Sequence, residues 1–240
     1  NGCFEMNKLC DKNIDAIQFL ENPELLESKQ KLQYDYSNLK VIYNSSLTQK
    51  IYDKIQVKTK NPSVRHFNLI PASNVANKPF EDRSIHMAYF VSNTSRKIKN
   101  SDLALRLFQH RPDLNKVAIG RESGFFKNIE NTAIEELVAQ EDLYDLMNDV
   151  RLVIIPSFYD SSPGIMTEAI SRGCNVLVSK NIGWHEHLNE TSVVRNFNDF
   201  DEWCIRVNHL TIHEESNNDF ARIFKDSPSE ILSLFQNLTD

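Results

Sequence analysis

Two acidic residues, Asp160 and Glu168, flank a Ser-Pro-Gly step in the second half of the sequence, with seven residues between them. Serine is a favourable N-cap residue, and proline fits the first position of a helix, where its missing amide hydrogen costs nothing. The step therefore predicts that a helix begins at Pro163, with Ser162 as its N-cap. Both acids would then lie close to the start of one helix.

The start of this predicted helix could bind an anion. The backbone N–H groups of Gly164, Ile165 and Met166 would have no partner within the helix, and the helix dipole adds positive potential at the same end. Gly164 carries no side chain that would block an approaching ligand. Helix N-termini of this kind commonly bind phosphate groups.

Glu168 adds a second kind of contact. Residues four apart are neighbours on one helical face, so a ligand lying over Gly164 would meet the Glu168 carboxylate one turn later. A carboxylate repels phosphate but accepts hydrogen bonds from neutral hydroxyl groups, such as those of a ribose. The pattern therefore predicts a phosphorylated, sugar-bearing ligand with the shape of a nucleotide. The alternative is that Asp160 and Glu168 are solvated surface charges.

The composition is that of a globular protein, with 40% hydrophobic and 25% charged residues among 240, and no apolar run approaches the roughly 18 residues of a membrane span. A net charge of −6 argues against a broad nucleic-acid-binding surface. The four cysteines lack metal-ligand spacing and favour free thiols in a reducing compartment: Cys3, Cys10, Cys174 and Cys204. We expect a cytoplasmic protein and leave a membrane-peripheral location open.

Strands and helices alternate almost without exception from about Arg83 onward. Runs such as LVII and VLV are apolar at consecutive positions, which is typical of parallel strands covered by helices on both faces. We therefore predict a doubly wound, parallel, Rossmann-like α/β domain over residues 76–240. Its predicted strands are 86–92, 116–120, 151–156, 175–179 and 191–194. Its predicted helices are 101–110, 141–149, 163–172, 199–210 and 229–238.

The first 75 residues hold only about one βαβ unit. We predict a strand over 39–46, a helix over 47–55 and a second strand over 64–73, after a weakly periodic helix over 14–33. This is an incomplete α/β portion. Because the sequence also begins with Asn rather than Met, we expect a fragment of a longer chain.

Ligands of open α/β sheets bind at the carboxyl ends of the strands. The predicted strands here end in small, polar or basic residues, which include Thr94, Gly120 with Arg121, and Ser157. The loop SRKIKN, residues 95–100, follows the first of these ends and could hold an anion. The alternative is a solvated basic loop.

The segment from Pro156 to Gly173 resembles the C-terminal domain of the retaining glycosyltransferases of family 4, which have the GT-B fold of two Rossmann domains. The shared features are a strand ending in Pro-Ser, paired acids with seven residues between them, a Pro/Gly-containing loop, Glu-Ala, and a later glycine. The first acid is Asp160, where the family usually has Glu. The resemblance extends over roughly Val64 to Leu210 and includes the stretches FNLIPASN, YFVSNTSRKIKN, KVAIG and NIGWHEHL.

The resemblance implies a role for each matched residue. Glu168 would bind the ribose hydroxyls of a nucleotide-sugar donor, and Asp160 would lie near the donor sugar. Lys99 occupies the place of the family's diphosphate-binding lysine, while Arg96 is the candidate substitute for its arginine partner because Thr94 occupies the expected place. The remaining implied contacts with the donor come from the loop and strand end at Pro163, Gly164, Ile165 and Gly120.

The implied activity is transfer of a hexose from a nucleotide diphosphate sugar to an acceptor, with retention of configuration. A basic pair at Lys99 and Arg96 would stabilise the charge on the leaving diphosphate, so neither a metal nor another cofactor is expected. The acceptor is a glycan, a lipid or a protein. Because residues 1–75 could supply only the tail of an acceptor-side domain, a partner chain or further sequence is expected to supply the rest.

Two other functions stay open. One is a noncatalytic relative that acts as an interaction module, and the other is a related sugar-nucleotide enzyme, such as an epimerase or a phosphorylase. Trp184 could either shape the donor pocket or pack in the core. His185 and His187 are expected to have surface or packing roles rather than to bind metal.

Overall fold

The structure is a computed structural model, which describes residues 14–22, 35–54, 58–64 and 77–215, together with Phe220. The predicted helix over 229–238 lies outside these residues, as does nearly all of the predicted strand over 64–73.

A parallel sheet of six strands forms the centre of the C-terminal part. Its strands are β3 (Ile85–Asn93), β4 (Lys116–Arg121), β5 (Thr132–Glu135), β6 (Val150–Ile155), β7 (Asn175–Ser179) and β8 (Val193–Val194). They lie in the order β5-β4-β3-β6-β7-β8. The chain builds β3, β4 and β5 toward one edge and then returns to the other side of β3 to build β6, β7 and β8, which confirms the doubly wound prediction. Only β5 was not predicted, because it has four residues and alternates in burial at the sheet edge.

Among the described residues, four helices cover the two faces of this sheet: α3 (Ser101–His110), α4 (Gln140–Met147), α5 (Gly164–Ser171) and α6 (Phe200–Leu210). Phe108 of α3 and Trp203 of α6 are fully buried in one apolar cluster. Met147 of α4 and Met166 of α5 are fully buried in a second cluster, which also contains Val153 of β6. Burial on both faces explains the consecutive apolar residues of β6 and β7.

The N-terminal part contains a parallel pair of strands, β1 (Asp35–Tyr43) and β2 (Lys58–Val64), joined through α2 (Ser46–Lys54). A βαβ unit was predicted here with its second strand over 64–73, whereas the observed β2 ends at Val64. The sequence of β2, KTKNPSV, is polar and contains a proline, so it gives no strand signal. Within the predicted helix 14–33, the described helix is α1 (Ala16–Glu21), which begins with a capping box between Asp15 and Gln18.

The end of α5 is fixed by a buried arginine. Arg83 is 2% exposed and donates hydrogen bonds to the carbonyl oxygens of Val150, at 2.7 Å, and Arg172, at 2.8 Å. Gly173 follows with φ of 71°, and a Cβ there would lie 2.9 Å from Arg83 Nη2. Both facts favour glycine at position 173, directly after the C-cap residue of α5.

Cys174 and Cys204 are buried free thiols, as predicted for them. Among the described helices, none is long and apolar enough to cross a membrane.

Candidate active site

The loop between β6 and α5 is attached to the turn that follows β7. The Asp160 amide donates a hydrogen bond to Asn181 O at 3.3 Å, and the Gly183 amide donates one to Asp160 O at 2.8 Å. These bonds make a parallel bridge between Asp160 and Ile182. The backbone of Asp160 is therefore held by a segment that is distant in sequence.

Gly183 allows this close approach. A Cβ at position 183 would lie 1.9 Å from Ser161 O and 2.7 Å from Ser45 Cβ, so a larger residue would push the loops apart. We expect Gly183→Ala to lower the free energy of unfolding by about 1–3 kcal/mol, which lowers Tm by about 2–4 °C per kcal/mol in a chain of this size. Thermal unfolding followed by circular dichroism measures the change.

The matched control is Gly124→Ala, because no atom lies within 4 Å of a Cβ built at that exposed glycine. Equal Tm values for the two variants would contradict the proposed close contact at Gly183.

Lys99 and Asp160 form an ion pair, with 2.5 Å between Lys99 Nζ and Asp160 Oδ2. Their side chains are 22% and 17% exposed. The basic loop is docked on the β6–α5 loop, since Phe158 N donates to Ile98 O at 2.9 Å and Asn100 Nδ2 donates to Pro156 O at 3.1 Å. The loop is therefore packed around Ile98 rather than wholly solvated.

Arg96 differs from Lys99. It is exposed, and its guanidinium makes no ion pair with the described residues. The structure thus brings Lys99, but not Arg96, into contact with Asp160. A contact of Arg96 with a diphosphate stays a prediction.

The helix α5 begins one residue later than predicted. Pro163 is its N-cap, with φ of −68° and ψ of 118°, and the prediction of Ser162 as N-cap is wrong. The Ser162 amide instead donates to Asp160 Oδ1 at 3.3 Å, which keeps Ser162 in the turn. The Met166 amide bonds to Pro163 O at 3.2 Å. Of the three predicted free amides, those of Gly164 and Ile165 have no partner among the residues described.

Gly164 itself is exposed, and no atom lies within 4 Å of a Cβ built there. A ligand can therefore reach the first amides of α5 from solvent.

Glu168 lies one turn further along α5 and is half-buried. Burial raises the pKa of its carboxyl above the ordinary value, while a hydrogen bond from Tyr144 lowers it. Tyr144 Oη donates to Glu168 Oε1 at 3.4 Å and accepts a hydrogen bond from Gln140 Nε2. The Arg172 guanidinium lies 4.9 Å from the centre of the Tyr144 ring. Tyr144 therefore orients the Glu168 carboxylate.

Tyr144 was not predicted as a site residue from the sequence. The available signal was its position four residues after Gln140, which places both on one face of α4. That spacing does not indicate which other helix this face contacts.

Replacement of Tyr144 by phenylalanine should weaken the binding of a ligand that uses Glu168 by a few fold, because one hydrogen bond contributes about 0.5–1.5 kcal/mol. It should also raise the pKa of Glu168 further, since the lost hydroxyl lowers that pKa. Ligand affinity measured against pH should then show its acidic decline at higher pH in Tyr144→Phe than in the wild type. A profile unchanged in both affinity and position would contradict the positioning role.

Gly120, the residue before the last in β4, has a φ of 155°, and a Cβ there would lie 2.2 Å from Val91 O. Glycine is therefore required by the packing of β4 against β3. Arg121 has an exposed side chain, and its carbonyl oxygen accepts hydrogen bonds from the amide and hydroxyl of Thr94, at 3.0 and 2.9 Å. The strand end thus supports the basic loop, while contact of Gly120 with a ligand stays a prediction.

Comparison with known proteins finds no matching family model and no matching curated protein. Solved structures do match. Sucrose-phosphate synthase from Thermosynechococcus elongatus matches with a TM-score of 0.65 and 12% identity over 83% of this chain. The lipopolysaccharide outer core galactosyltransferase WaaB matches with a TM-score of 0.63 and 14% identity over 78%. TarM matches with a TM-score of 0.61 and 15% identity over 83%.

The fold is therefore of the GT-B type. The chain spans 58%, 57% and 43% of these three structures, or about half of their length. At this level of identity the likeness shows the fold alone. Lys99 follows the carboxyl end of β3, and Asp160 and the start of α5 follow the carboxyl end of β6. All three therefore lie at the edge of the parallel sheet where the strands end.

Segments of the N-terminal part contact the same edge. Trp184 is buried, and its Nε1 donates to Asn44 O at 2.6 Å. Asn44 Nδ2 donates to Ser161 Oγ at 2.9 Å, and Ser46 Oγ donates to Glu186 Oε1. Of the two interpretations of Trp184, the structure supports packing. The turn between β1 and α2 thus lies directly beside Asp160.

The two histidines near Trp184 have packing contacts. His185 Nδ1 lies 2.7 Å from Ile182 O, and the His187 ring lies 5.6 Å from the ring of Trp184. In the described part of the chain, no group of three or more His, Cys, Asp or Glu residues could hold a metal ion.

Proposed function

We propose that the chain is the donor-binding part of a retaining glycosyltransferase, which transfers a hexose from a nucleotide diphosphate sugar without a bound metal or cofactor. One observation carries the proposal: the Lys99–Asp160 ion pair lies at the approach to α5, whose first amides, at Gly164 and Ile165, have no hydrogen-bond partner among the described residues. The cation and the amides suit the diphosphate of such a donor, and the Glu168 carboxylate, one turn later, suits its ribose hydroxyls.

The diphosphate of the donor would bind at the start of α5. The amides of Gly164 and Ile165 would donate hydrogen bonds to its oxygens, with support from the helix dipole. Lys99 would then leave Asp160 and contact the diphosphate. When the bond between the anomeric carbon and the phosphate oxygen breaks, its electron pair stays on the diphosphate, and Lys99 stabilises that charge.

The two acids would bind the carbohydrate groups of the donor. Asp160, released from Lys99, would accept hydrogen bonds from hydroxyls of the hexose, and Glu168 would accept them from the ribose. Aspartate is shorter than glutamate by one methylene group, so Asp160 would select a hexose whose hydroxyl approaches more closely. The acceptor oxygen would form its bond to the anomeric carbon on the face that the diphosphate leaves, which retains the configuration, and its proton would pass to an oxygen of the departing diphosphate.

The acceptor would approach from the N-terminal side. The turn at Asn44 and Ser46 contacts the loops that carry Asp160 and Glu186, so residues 1–75 would form part of an acceptor-side domain. Further sequence or a partner chain would supply the rest. We propose a glycan, lipid or protein acceptor, no nucleic-acid partner, and a cytoplasmic location that includes the membrane surface.

Titration with UDP-, GDP- and ADP-hexoses tests this proposal. At 100 times its dissociation constant, the preferred donor should add about 2.7 kcal/mol to the free energy of unfolding. Calorimetry should give saturable binding that EDTA leaves unchanged, and a labelled donor should yield hydrolysis or transfer products. The free nucleosides, which lack the diphosphate, are the matched control ligands and should bind much more weakly.

Other outcomes separate the alternatives. Epimerisation of the labelled sugar without transfer would indicate an epimerase. Absence of both nucleotide-sugar binding and turnover would contradict the proposal and favour a noncatalytic interaction module.

A further inference from the structure

The Lys99–Asp160 ion pair is fixed by the fold on both sides. The Lys99 carbonyl oxygen accepts a hydrogen bond from the hydroxyl of the buried Tyr89 at 3.2 Å. The Asp160 amide donates to Asn181 O, and the Asp160 carbonyl oxygen accepts a hydrogen bond from the Gly183 amide. Neither backbone can move away without the loss of these bonds. The ion pair should therefore form again whenever a ligand leaves the site.

The Asp160 carboxylate has few other partners. Its Oδ2 pairs with Lys99, while its Oδ1 accepts a long hydrogen bond, of 3.3 Å, from the Ser162 amide. Within the described part of the chain, Lys99 is the cation that pairs with it, and Arg96 does not. The Asp160 side chain is 17% exposed, so water reaches it only in part. If Lys99 left, the carboxylate would keep an uncompensated charge, which is unfavourable at a largely buried position.

A purely structural role explains this ion pair less well. The two loops that carry it are already joined by backbone contacts, from Phe158 N to Ile98 O at 2.9 Å and from Asn100 Nδ2 to Pro156 O at 3.1 Å. A partly exposed ion pair adds little to stability beyond such contacts. An asparagine at position 160 could also accept hydrogen bonds from a hexose, but it could not compete with an anion for a lysine.

A nucleotide sugar and its product differ in charge at the terminal phosphate. In the nucleotide sugar, this phosphate is esterified to the hexose and carries one negative charge. After transfer, the ester is gone, and the phosphate ionises a second time near pH 6, so that it carries about 1.5 to 2 negative charges at pH 7. The product therefore brings more negative charge to the site and no hexose hydroxyl.

We infer that Asp160 discriminates between the nucleotide sugar and the nucleoside diphosphate, and that it promotes release of the nucleoside diphosphate. This inference rests on the proposed function. When the product is bound, the carboxylate repels the terminal phosphate and competes with it for Lys99. When the nucleotide sugar is bound, hydroxyls of the hexose compensate the same carboxylate. The ion pair then forms again as the product leaves.

The test measures the affinity of the full chain for UDP, GDP and ADP, and for UDP-glucose, GDP-mannose and ADP-glucose, by calorimetry at about pH 7.5, where the terminal phosphate is ionised. Asp160→Asn should bind the preferred nucleoside diphosphate about 5- to 30-fold more tightly than the wild type, the size expected for one charge interaction in a partly solvated site. It should not gain affinity for the nucleotide sugar. Asp160→Ala should show the same gain, so the test does not depend on the folding of one variant.

Asp160→Glu keeps the charge and should keep the low affinity for the nucleoside diphosphate. Asp113→Asn is the matched control, because Asp113 also forms an ion pair, with Arg111 at 2.7 Å, but precedes β4 at the opposite end of the sheet. It removes the same charge from the chain and should leave both affinities unchanged. Thermal unfolding of each variant shows whether it is folded.

The outcomes separate this inference from the proposed function. If a labelled nucleotide sugar is transferred or hydrolysed but Asp160→Asn and Asp160→Ala bind the nucleoside diphosphate no more tightly than the wild type, the inference is overturned and the proposed function stands. Equal gains for the nucleoside diphosphate and the nucleotide sugar overturn the discrimination as well. If the selective gain is observed without any turnover, the inference stands and the proposed function fails. If none of the six nucleotides binds, both are overturned.

Discussion

Replacement of Lys99 by alanine should lower the kcat of the proposed transfer reaction by about 10²- to 10³-fold, which corresponds to roughly 2.7–4 kcal/mol of transition-state stabilisation. The reason is that the charge on the diphosphate develops as the glycosidic bond breaks, and Lys99 is the described cation already paired at this edge with Asp160. Initial-rate kinetics with saturating donor measure the loss. Lys99→Arg, which retains the charge, should keep part of the activity.

Lys127→Ala is the control, because Lys127 is exposed and lies outside the candidate active site. It should leave kcat unchanged. Thermal unfolding of Lys99→Ala must be measured in parallel, because the substitution leaves the Asp160 carboxylate without its cation. A folded Lys99→Ala protein with wild-type kcat would contradict a catalytic role for Lys99.

Replacement of Glu168 by glutamine should weaken donor affinity by about 10- to 100-fold, because a hydrogen bond to a charged group contributes about 1.5–3 kcal/mol. The wild-type protein should lose affinity as the pH falls through the pKa of Glu168, which burial raises above its ordinary value. The sign follows because protonation removes the carboxylate that accepts hydrogen bonds from the ribose. Glu168→Gln should lack this acidic decline. Calorimetry between about pH 4.5 and 7 distinguishes the two profiles.

Glu141→Gln is the matched control on α4, where Glu141 is exposed, and it should bind donor like the wild type. Wild-type affinity in Glu168→Gln would remove Glu168 from the donor site. Unchanged biological activity in Glu168→Ala would instead support the noncatalytic interaction module.

The fold of the C-terminal part was largely predictable because its signals are local. Helix α3 and strand β7 are both observed at their predicted bounds. Each has an apolar pattern that stops at clearly polar residues, so its ends could be predicted from the sequence. The edge strand β5 and the polar strand β2 were not predicted. Their residues alternate or are hydrophilic, and only pairing with a neighbouring strand makes them extended.

The candidate site was predictable as a set of residue types but not as a set of contacts. The Ser162–Pro163–Gly164 step indicated a helix start to within one residue. The error arose because the Asp160 side chain accepts a hydrogen bond from the Ser162 amide, a competition between a turn and a helix cap that the step alone does not resolve.

The sequence by itself determined the order of strands and helices, the burial of β6 and β7, and the presence of two acids beside a helix start. These follow from periodicity and turn chemistry, which act over a few residues. Only the tertiary structure decided that Lys99 pairs with Asp160 and that Tyr144 contacts Glu168. Such contacts join segments that are far apart in the chain. Which loops come into contact depends on how the helices pack on the sheet, and local sequence patterns do not show this.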